Sequence, residues 1–200
     1  MNNRITVTDY NADWAYKEGF LVPRSHAGYL TPEEFIAFSG TLGMDGIELM
    51  HDYWTESPAS YPRKIAEDAG LPVFSYIFDA DLAVPPSEQQ KALDSAFALL
   101  DRTAELGAPM AFLLPGCVKK GFSLVDQRSW MIDGLGKCAE HAHYIGVKIL
   151  IENLDYAPGR ALTGRASQVT AICREVDSPG LGRIYDCGAT TFVDEDPLAA

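Results

Sequence analysis

The sequence alternates short apolar segments with amphipathic segments that carry the signals of helix starts and ends. The clearest apolar segment is 147–153, VKILIEN, which follows a helix predicted over residues 123–146 and closed by Gly146. Apolar strands that alternate with helices in units of roughly 30 to 40 residues are typical of βαβ crossovers and a parallel sheet. The chain is therefore predicted to have an α/β fold.

Six segments have the strand pattern, and each one after the first follows a predicted helix and a glycine. They are residues 4–8, 45–50, 71–78, 109–116, 147–153 and 181–188. The first helix has a clear start signal, because Thr31 precedes a proline and Glu34 is placed to complete a capping box.

Two architectures fit six βα units. A doubly wound sheet usually carries a glycine-rich phosphate loop after its first strand, and TVTDYNADW contains none. A complete (β/α)8 barrel needs about 250 residues, and this chain has 200. We therefore predict that residues 1–200 form a single α/β domain of the (β/α)8 TIM-barrel type, with six βα units and without the last two. A six-unit sheet with an open or irregular closure is the alternative.

The composition limits the partners that the chain is expected to have. A formal net charge of −12 disfavours nucleic acid, because phosphate backbones are bound through clustered Lys and Arg. No apolar run approaches the roughly 20 residues that cross a membrane, and the N-terminus lacks the pattern of a signal peptide, so the cytoplasm is predicted. The four cysteines include no CxxC pair, which predicts reduced thiols. Aromatic residues after the first two strands could form a sugar-stacking wall, a homo-oligomer contact or part of the core; they are Tyr10, Trp14, Tyr53 and Trp54.

The strongest candidate site lies at the carboxyl ends of the last two strands, because βα loops build the pockets of α/β folds there. Alternation places Glu152 on the face of Leu150, and Asp186 on the face of Ile184. Adjacent strands are about 4.8 Å apart, so the two carboxylates are predicted to lie close enough to share one divalent cation. Two buried carboxylates that close repel each other unless a cation or a proton lies between them. Oxygen ligands favour Mn²⁺, with Mg²⁺, Co²⁺ or Zn²⁺ as alternatives.

Three further polar residues stand at predicted strand ends. Glu48 and His51 close the second strand, and Asn153 directly follows Glu152. We interpret them as candidate substrate contacts. The structural alternatives are a hydrogen bond to the barrel floor for Glu48, a partly buried loop position for His51, a cap or salt bridge for Glu152, and a turn-forming role before Gly188 for Asp186.

Four short motifs, by their order and spacing, resemble the xylose isomerase-like TIM-barrel superfamily. They are GIEL at 46–49, a Pro-Gly pair at 115–116, LIEN at 150–153 and YDxG at 185–188. The resemblance implies that Glu152 and Asp186 are metal ligands. It also implies that a histidine and a glutamate from two further strands complete the ligand set.

The resemblance further implies proton transfer next to a carbonyl of a small sugar or polyol. A divalent cation would polarise the carbonyl, and a carboxylate would remove the neighbouring proton to give a metal-stabilised enediolate. Glu152 would be both a ligand and an acid/base group. We therefore predict a metal-dependent isomerase or epimerase.

Two alternatives to that activity stay open. The first is a dehydratase of the same superfamily that acts on an inosose or a dehydroshikimate-like substrate. The second is a truncated barrel without catalytic activity. Ketose 3-epimerases usually have a substrate-binding histidine where this chain has Ala189, which weakens the case for a ketose substrate.

Overall fold

The computed structural model describes residues 6–8, 30–154, 162–193 and 195–196. The strands in these ranges are β1 (Thr6–Thr8), β2 (Gly46–Met50), β3 (Val73–Asp79), β4 (Met110–Leu114), β5 (Lys148–Glu152) and β6 (Leu181–Ile184). The α-helices are α1 (Pro32–Thr41), α2 (Ser60–Asp68), α3 (Pro86–Glu105), α4 (Leu124–Tyr144) and α5 (Ala166–Val176). Short 3-10 helices follow β2 and β6, at His51–Tyr53 and Ala189–Phe192. Strands and helices thus alternate as predicted.

The chain divides into two compact units. The first comprises Met1–Ile77 and Arg102–Pro109, and the second comprises Phe78–Asp101 and Met110–Ala200. In the first unit β1 pairs with β2 and β2 pairs with β3, and all of these strands are parallel. In the second unit β4 pairs with β5 and β5 pairs with β6, again in parallel. The predicted parallel α/β organisation is therefore confirmed.

Two helix starts follow directly from side chains at their N-termini. The hydroxyl of Thr31 accepts a hydrogen bond from the Glu34 amide, and the Glu34 carboxylate accepts one from the Thr31 amide, so the predicted capping box is confirmed. Ser123 caps α4, since its hydroxyl accepts a 3.0 Å hydrogen bond from the amide of Asp126.

Burial alternates along the strands that carry the candidate residues. In the first unit Ile47 of β2 is fully buried, and its neighbour Glu48 is half-buried. In the second unit Ile149 and Ile151 of β5 are fully buried, whereas Glu152 is half-buried. Because successive side chains of a strand point to opposite faces, both glutamates lie on the less buried face of their strands.

None of the helices in the described ranges is both long enough and apolar enough to cross a membrane. Tyr10, Trp14 and the predicted loop around them lie outside the described residues. The single domain over residues 1–200 stays a prediction.

Candidate functional site

Glu152 and Asp186 follow neighbouring strands in the second unit. Glu152 is the last residue of β5, and it is aligned in the sheet with Ile184, the last residue of β6. Asp186 lies two residues beyond that aligned position and is half-buried. The predicted placement at the carboxyl ends of adjacent parallel strands is therefore confirmed, while the sharing of a cation stays a prediction.

Asn153 links the ends of these two strands. Its side chain is fully buried. Its Nδ2 donates to the backbone carbonyl of Asp186 at 2.8 Å, and its Oδ1 accepts from the backbone amide of Asp186, also at 2.8 Å. Asn153 thus contacts the backbone that carries Asp186, whereas the sequence predicted a contact with substrate.

The carboxylate of Asp186 is held by two backbone amides. Its Oδ1 accepts from Gly188 at 2.7 Å and from Ala189 at 3.1 Å, where the second 3-10 helix begins. Within the described ranges, no donor bonds to Oδ2 of Asp186. One oxygen of this carboxylate therefore stabilises the local backbone, and the other retains its capacity to bind a ligand.

A cavity of about 300 Å³ lies at the carboxyl ends of strands in the second unit. That volume is at the small end of the range for small-molecule sites. Its walls combine carboxylates, a thiol and a hydroxyl with apolar groups; the lining residues are Asp79, Asp81, Leu114, Pro115, Gly116, Cys117, Leu154 and Thr163.

Asp81 lies so close to Gly116 in the wall of this cavity that a residue with a Cβ would not fit there. Gly116 has a φ of +125°, and a Cβ there would lie 2.5 Å from Oδ1 of Asp81. Only glycine combines this backbone conformation with so close an approach. The same Oδ1 accepts from Nζ of Lys119 at 2.6 Å, and Lys119 also donates to the carbonyl of Ala83 at 3.0 Å.

Gln127 of α4 holds the loop that contains Lys119. The side chain of Gln127 is fully buried. Its Oε1 accepts from the Lys119 amide at 2.6 Å, and its Nε2 donates to the carbonyls of Lys119 and Phe122, each at 3.1 Å. One amide side chain therefore shapes the loop that follows β4 and borders the cavity.

Glu48 of the first unit lies in the sheet beside Ser75, with which it is aligned across β2 and β3. Burial raises the pKa of Glu48 above its ordinary value, and the nearby hydroxyl of Ser75 opposes this shift. Removal from water therefore disfavours the charged form of this carboxylate relative to an exposed one.

His51 is joined to a chain of partly buried hydrogen bonds in the first unit. Its Nδ1 lies 2.7 Å from the hydroxyl oxygen of Tyr76, and Nε of Arg102 donates to the same oxygen at 2.9 Å. Arg102 also donates to the carbonyls of Trp54 and Ser57, at 2.7 and 2.8 Å. Tyr76 is fully buried, and alternation along β3 places it on the face opposite Ser75. These bonds anchor the loop between β2 and α2.

The described part of the chain contains two carboxylates that could serve as ligands of a metal ion. Glu152 and Asp186 have carboxylate oxygens, which suit hard divalent cations. No cluster of three or more His, Cys, Asp or Glu side chains that could hold a metal occurs in the described ranges. The two carboxylates therefore fit a cation as two of its ligands, and further ligands would have to come from elsewhere.

Sequence reasoning did not find several of the residues that organise these sites. Arg102 lies in the last turn of α3, where a basic residue is ordinary. Gln127 had no signal, because an amide inside a helix is usually exposed. Lys119 could be suspected only from its position after β4.

The family of the chain follows from a family model. The model described as xylose isomerase-like TIM barrel matches residues 36–200. The chain therefore belongs to the xylose isomerase-like TIM barrel family, and the TIM-barrel-like fold predicted from the sequence is confirmed.

One curated protein is similar in sequence to most of this chain. The chain is 28% identical over 172 residues to a 3-dehydroshikimate dehydratase of Pseudomonas putida, and the match covers 84% of this chain and 26% of that protein. The chain thus spans about a quarter of the length of this curated relative.

Solved structures show the same fold at lower identity. A D-psicose 3-epimerase has a TM-score of 0.76 at 14% identity, with 97% of this chain and 67% of that one covered. The probable 3-DHS dehydratase AsbF of Bacillus anthracis has a TM-score of 0.71 at 14% identity, with 98% and 68% covered.

Proposed function

We propose that the protein removes a proton next to the carbonyl of a small polyhydroxylated ketone and expels a hydroxyl group as water, as a dehydratase. The observation that carries the proposal is the pair of carboxylates, Glu152 and Asp186, at the carboxyl ends of two neighbouring parallel strands. The substrate class is supported by the similarity to a 3-dehydroshikimate dehydratase over 84% of the chain. The dehydratase was the first alternative in the sequence analysis, and this similarity is the reason for preferring it.

In this proposal Glu152 and Asp186 are two ligands of a divalent cation, with Mn²⁺ as the first choice and Mg²⁺, Co²⁺ and Zn²⁺ as alternatives. The bound cation would supply polarisation of the substrate carbonyl. Asp186 would bind through Oδ2, because its Oδ1 already accepts two backbone hydrogen bonds.

Glu152 is the proposed base. It takes the proton from the carbon next to the carbonyl, and the electron pair of that C–H bond forms a carbon–carbon double bond. Glu152 then returns this proton to the hydroxyl group on the next carbon, which leaves with its bonding electrons as water. The product is a conjugated ketone with one water fewer than the substrate.

The lining of the cavity of about 300 Å³ includes neither Glu152 nor Asp186, so the cavity is proposed to hold the part of the substrate that extends away from the reacting carbonyl. Asp79 and Thr163 in its wall offer groups that bond to substrate hydroxyls. Glu48 and His51 stay predictions as substrate contacts. The bond between His51 and the buried hydroxyl of Tyr76 supports a structural role for that histidine instead.

The test is turnover of 3-dehydroshikimate by the full-length protein with added Mn²⁺, followed by the ultraviolet absorbance of the conjugated product. We expect turnover that is lost with a chelator and in both Glu152→Gln and Asp186→Asn. Undiminished metal content and turnover in both variants would refute the assignment. Absence of both metal binding and turnover in the unaltered protein would favour the non-catalytic alternative.

A sugar isomerase or epimerase is the second candidate. The lining of the cavity favours it, because Asp79 and Asp81 would repel a carboxylate-bearing substrate but would accept hydrogen bonds from a neutral sugar. Lys119 neutralises part of that charge through its ion pair with Asp81. Incubation with D-fructose separates the two candidates, since an epimerase gives an isomer of equal mass and a dehydratase gives loss of water from its own substrate.

A further inference from the structure

The end of β6 is held by a side chain from the end of β5. The ladder between β5 and β6 ends at the pair Glu152 and Ile184, so the backbone of Asp186 has already left the sheet. Asn153 replaces the missing ladder bonds, because its one amide group satisfies both the N–H and the C=O of Asp186 at 2.8 Å. Its complete burial excludes water from competing for these bonds.

The side chain of Asp186 is fixed independently of its backbone. The amides of Gly188 and Ala189 both donate to Oδ1, which sets the direction of the carboxylate. With the backbone held by Asn153 and one oxygen held by two amides, the position of Oδ2 is determined. Within the described ranges, Oδ2 accepts no hydrogen bond.

We infer that Asn153 is a positioning residue for Asp186: it holds the backbone so that Oδ2 binds a divalent cation as a single-oxygen ligand. The inference rests on the proposed function for the identity of the ligand, but the hydrogen bonds that carry it are independent of the reaction. It assigns Asn153 a role through Asp186, where the sequence predicted a direct contact with substrate. Residues that orient a metal ligand typically change metal affinity about 10- to 100-fold when they are replaced.

The experiment compares Asn153→Ala with Asp186→Asn in the full-length protein. Mn²⁺ alone is titrated by calorimetry, and backbone hydrogen exchange is measured at residues 186 and 188. Asp186→Asn keeps every hydrogen bond described here, because its backbone and one side-chain oxygen are unchanged, but it removes the charge. We expect it to abolish Mn²⁺ binding at this site while exchange stays as in the unaltered protein.

Asn153→Ala is expected to change both measurements. Hydrogen exchange should become faster at both amides, and the Mn²⁺ affinity should fall about 10- to 100-fold without being abolished. If this variant does not fold, Asn153→Ser, which retains one polar atom, is expected to shift both measurements in the same direction. Faster exchange with unchanged Mn²⁺ affinity would overturn the inference alone. Failure of the unaltered protein to bind Mn²⁺ would overturn both the inference and the metal in the proposed function.

Discussion

Tyr76→Phe tests the chain of hydrogen bonds that joins His51 to Arg102. The change removes one oxygen from a fully buried ring and leaves the packing of the ring in place. Two hydrogen bonds are lost, one to Nδ1 of His51 at 2.7 Å and one from Nε of Arg102 at 2.9 Å. A neutral hydrogen bond contributes about 1 kcal/mol to stability and one to a charged group about 1.5 to 3 kcal/mol. The expected loss in the free energy of unfolding is therefore about 2 to 4 kcal/mol.

Urea unfolding of four proteins measures this loss and assigns it. They are the unaltered chain, Tyr76→Phe, Arg102→Met and the double variant, which together form a double-mutant cycle. Tyr61→Phe is the matched control, because Tyr61 is 48% exposed and its loss of a hydroxyl should change stability by no more than about 0.5 kcal/mol. The two central changes are expected to be coupled by at least about 0.5 kcal/mol, since both groups share one bond.

A Tyr76→Phe variant as stable as Tyr61→Phe would refute this role of the Tyr76 hydroxyl, and so would additive effects of the Tyr76 and Arg102 changes. A second readout comes from the histidine rings, of which the chain has four. The ring ¹⁵N signals of His51 should shift in Tyr76→Phe, because Nδ1 loses its hydrogen bond and the hydrogen bonds of the ring nitrogens determine which of them carries the proton. The remaining histidine signals should stay in place.

Three further predictions concern ionisable groups. Glu48→Gln should raise stability at neutral pH and not in acid, because burial raises the pKa of Glu48 and the charged form is the costly one; unfolding at both pH values measures this. Glu195→Gln should lower stability by about 1 kcal/mol, since the carboxylate of Glu195 caps α5 by accepting from two backbone amides. Burial raises the pKa of Glu195, but these hydrogen bonds outweigh it and lower the pKa below its ordinary value. The difference in the free energy of unfolding between the variant and the unaltered protein should therefore persist above the ordinary pKa of a glutamate and vanish as the pH falls through the lowered pKa of Glu195. Burial raises the pKa of Cys138 to about 12, so iodoacetamide at pH 8 should label the exposed Cys117 and leave Cys138 unmodified until the chain unfolds, as mass spectrometry would show.

Much of the fold was predictable because its signals are local. The capping box at Thr31 and Glu34 involves residues three apart, and the structure contains it. The apolar run around Ile149 and Ile151 predicted a buried strand, and both residues are fully buried. Glu152 and Asp186 could be placed on neighbouring strands because parallel strands follow one another in chain order.

The roles of single polar residues were less predictable because their partners are distant and are backbone atoms. The amide of Asn153 bonds to the backbone of a residue 33 positions further along, and a backbone group leaves no trace in the sequence. The direction of the His51 side chain was hard to predict for a different reason. The 3-10 helix that begins at His51 interrupts the alternation of β2, so counting along the strand does not give the direction of its side chain.

Within each unit, strands pair with their neighbours along the chain, and this has a consequence for biosynthesis. In the described parts of the two units, no paired strand residues lie further apart along the chain than Thr6 and Gly46, and β5 pairs with β6 only 32 residues on, at Ile149 and Leu181. Short closures of this kind lower the entropic cost of pairing and favour rapid folding. Each strand pair can therefore form on the ribosome soon after its second strand emerges, before later strands have been synthesised.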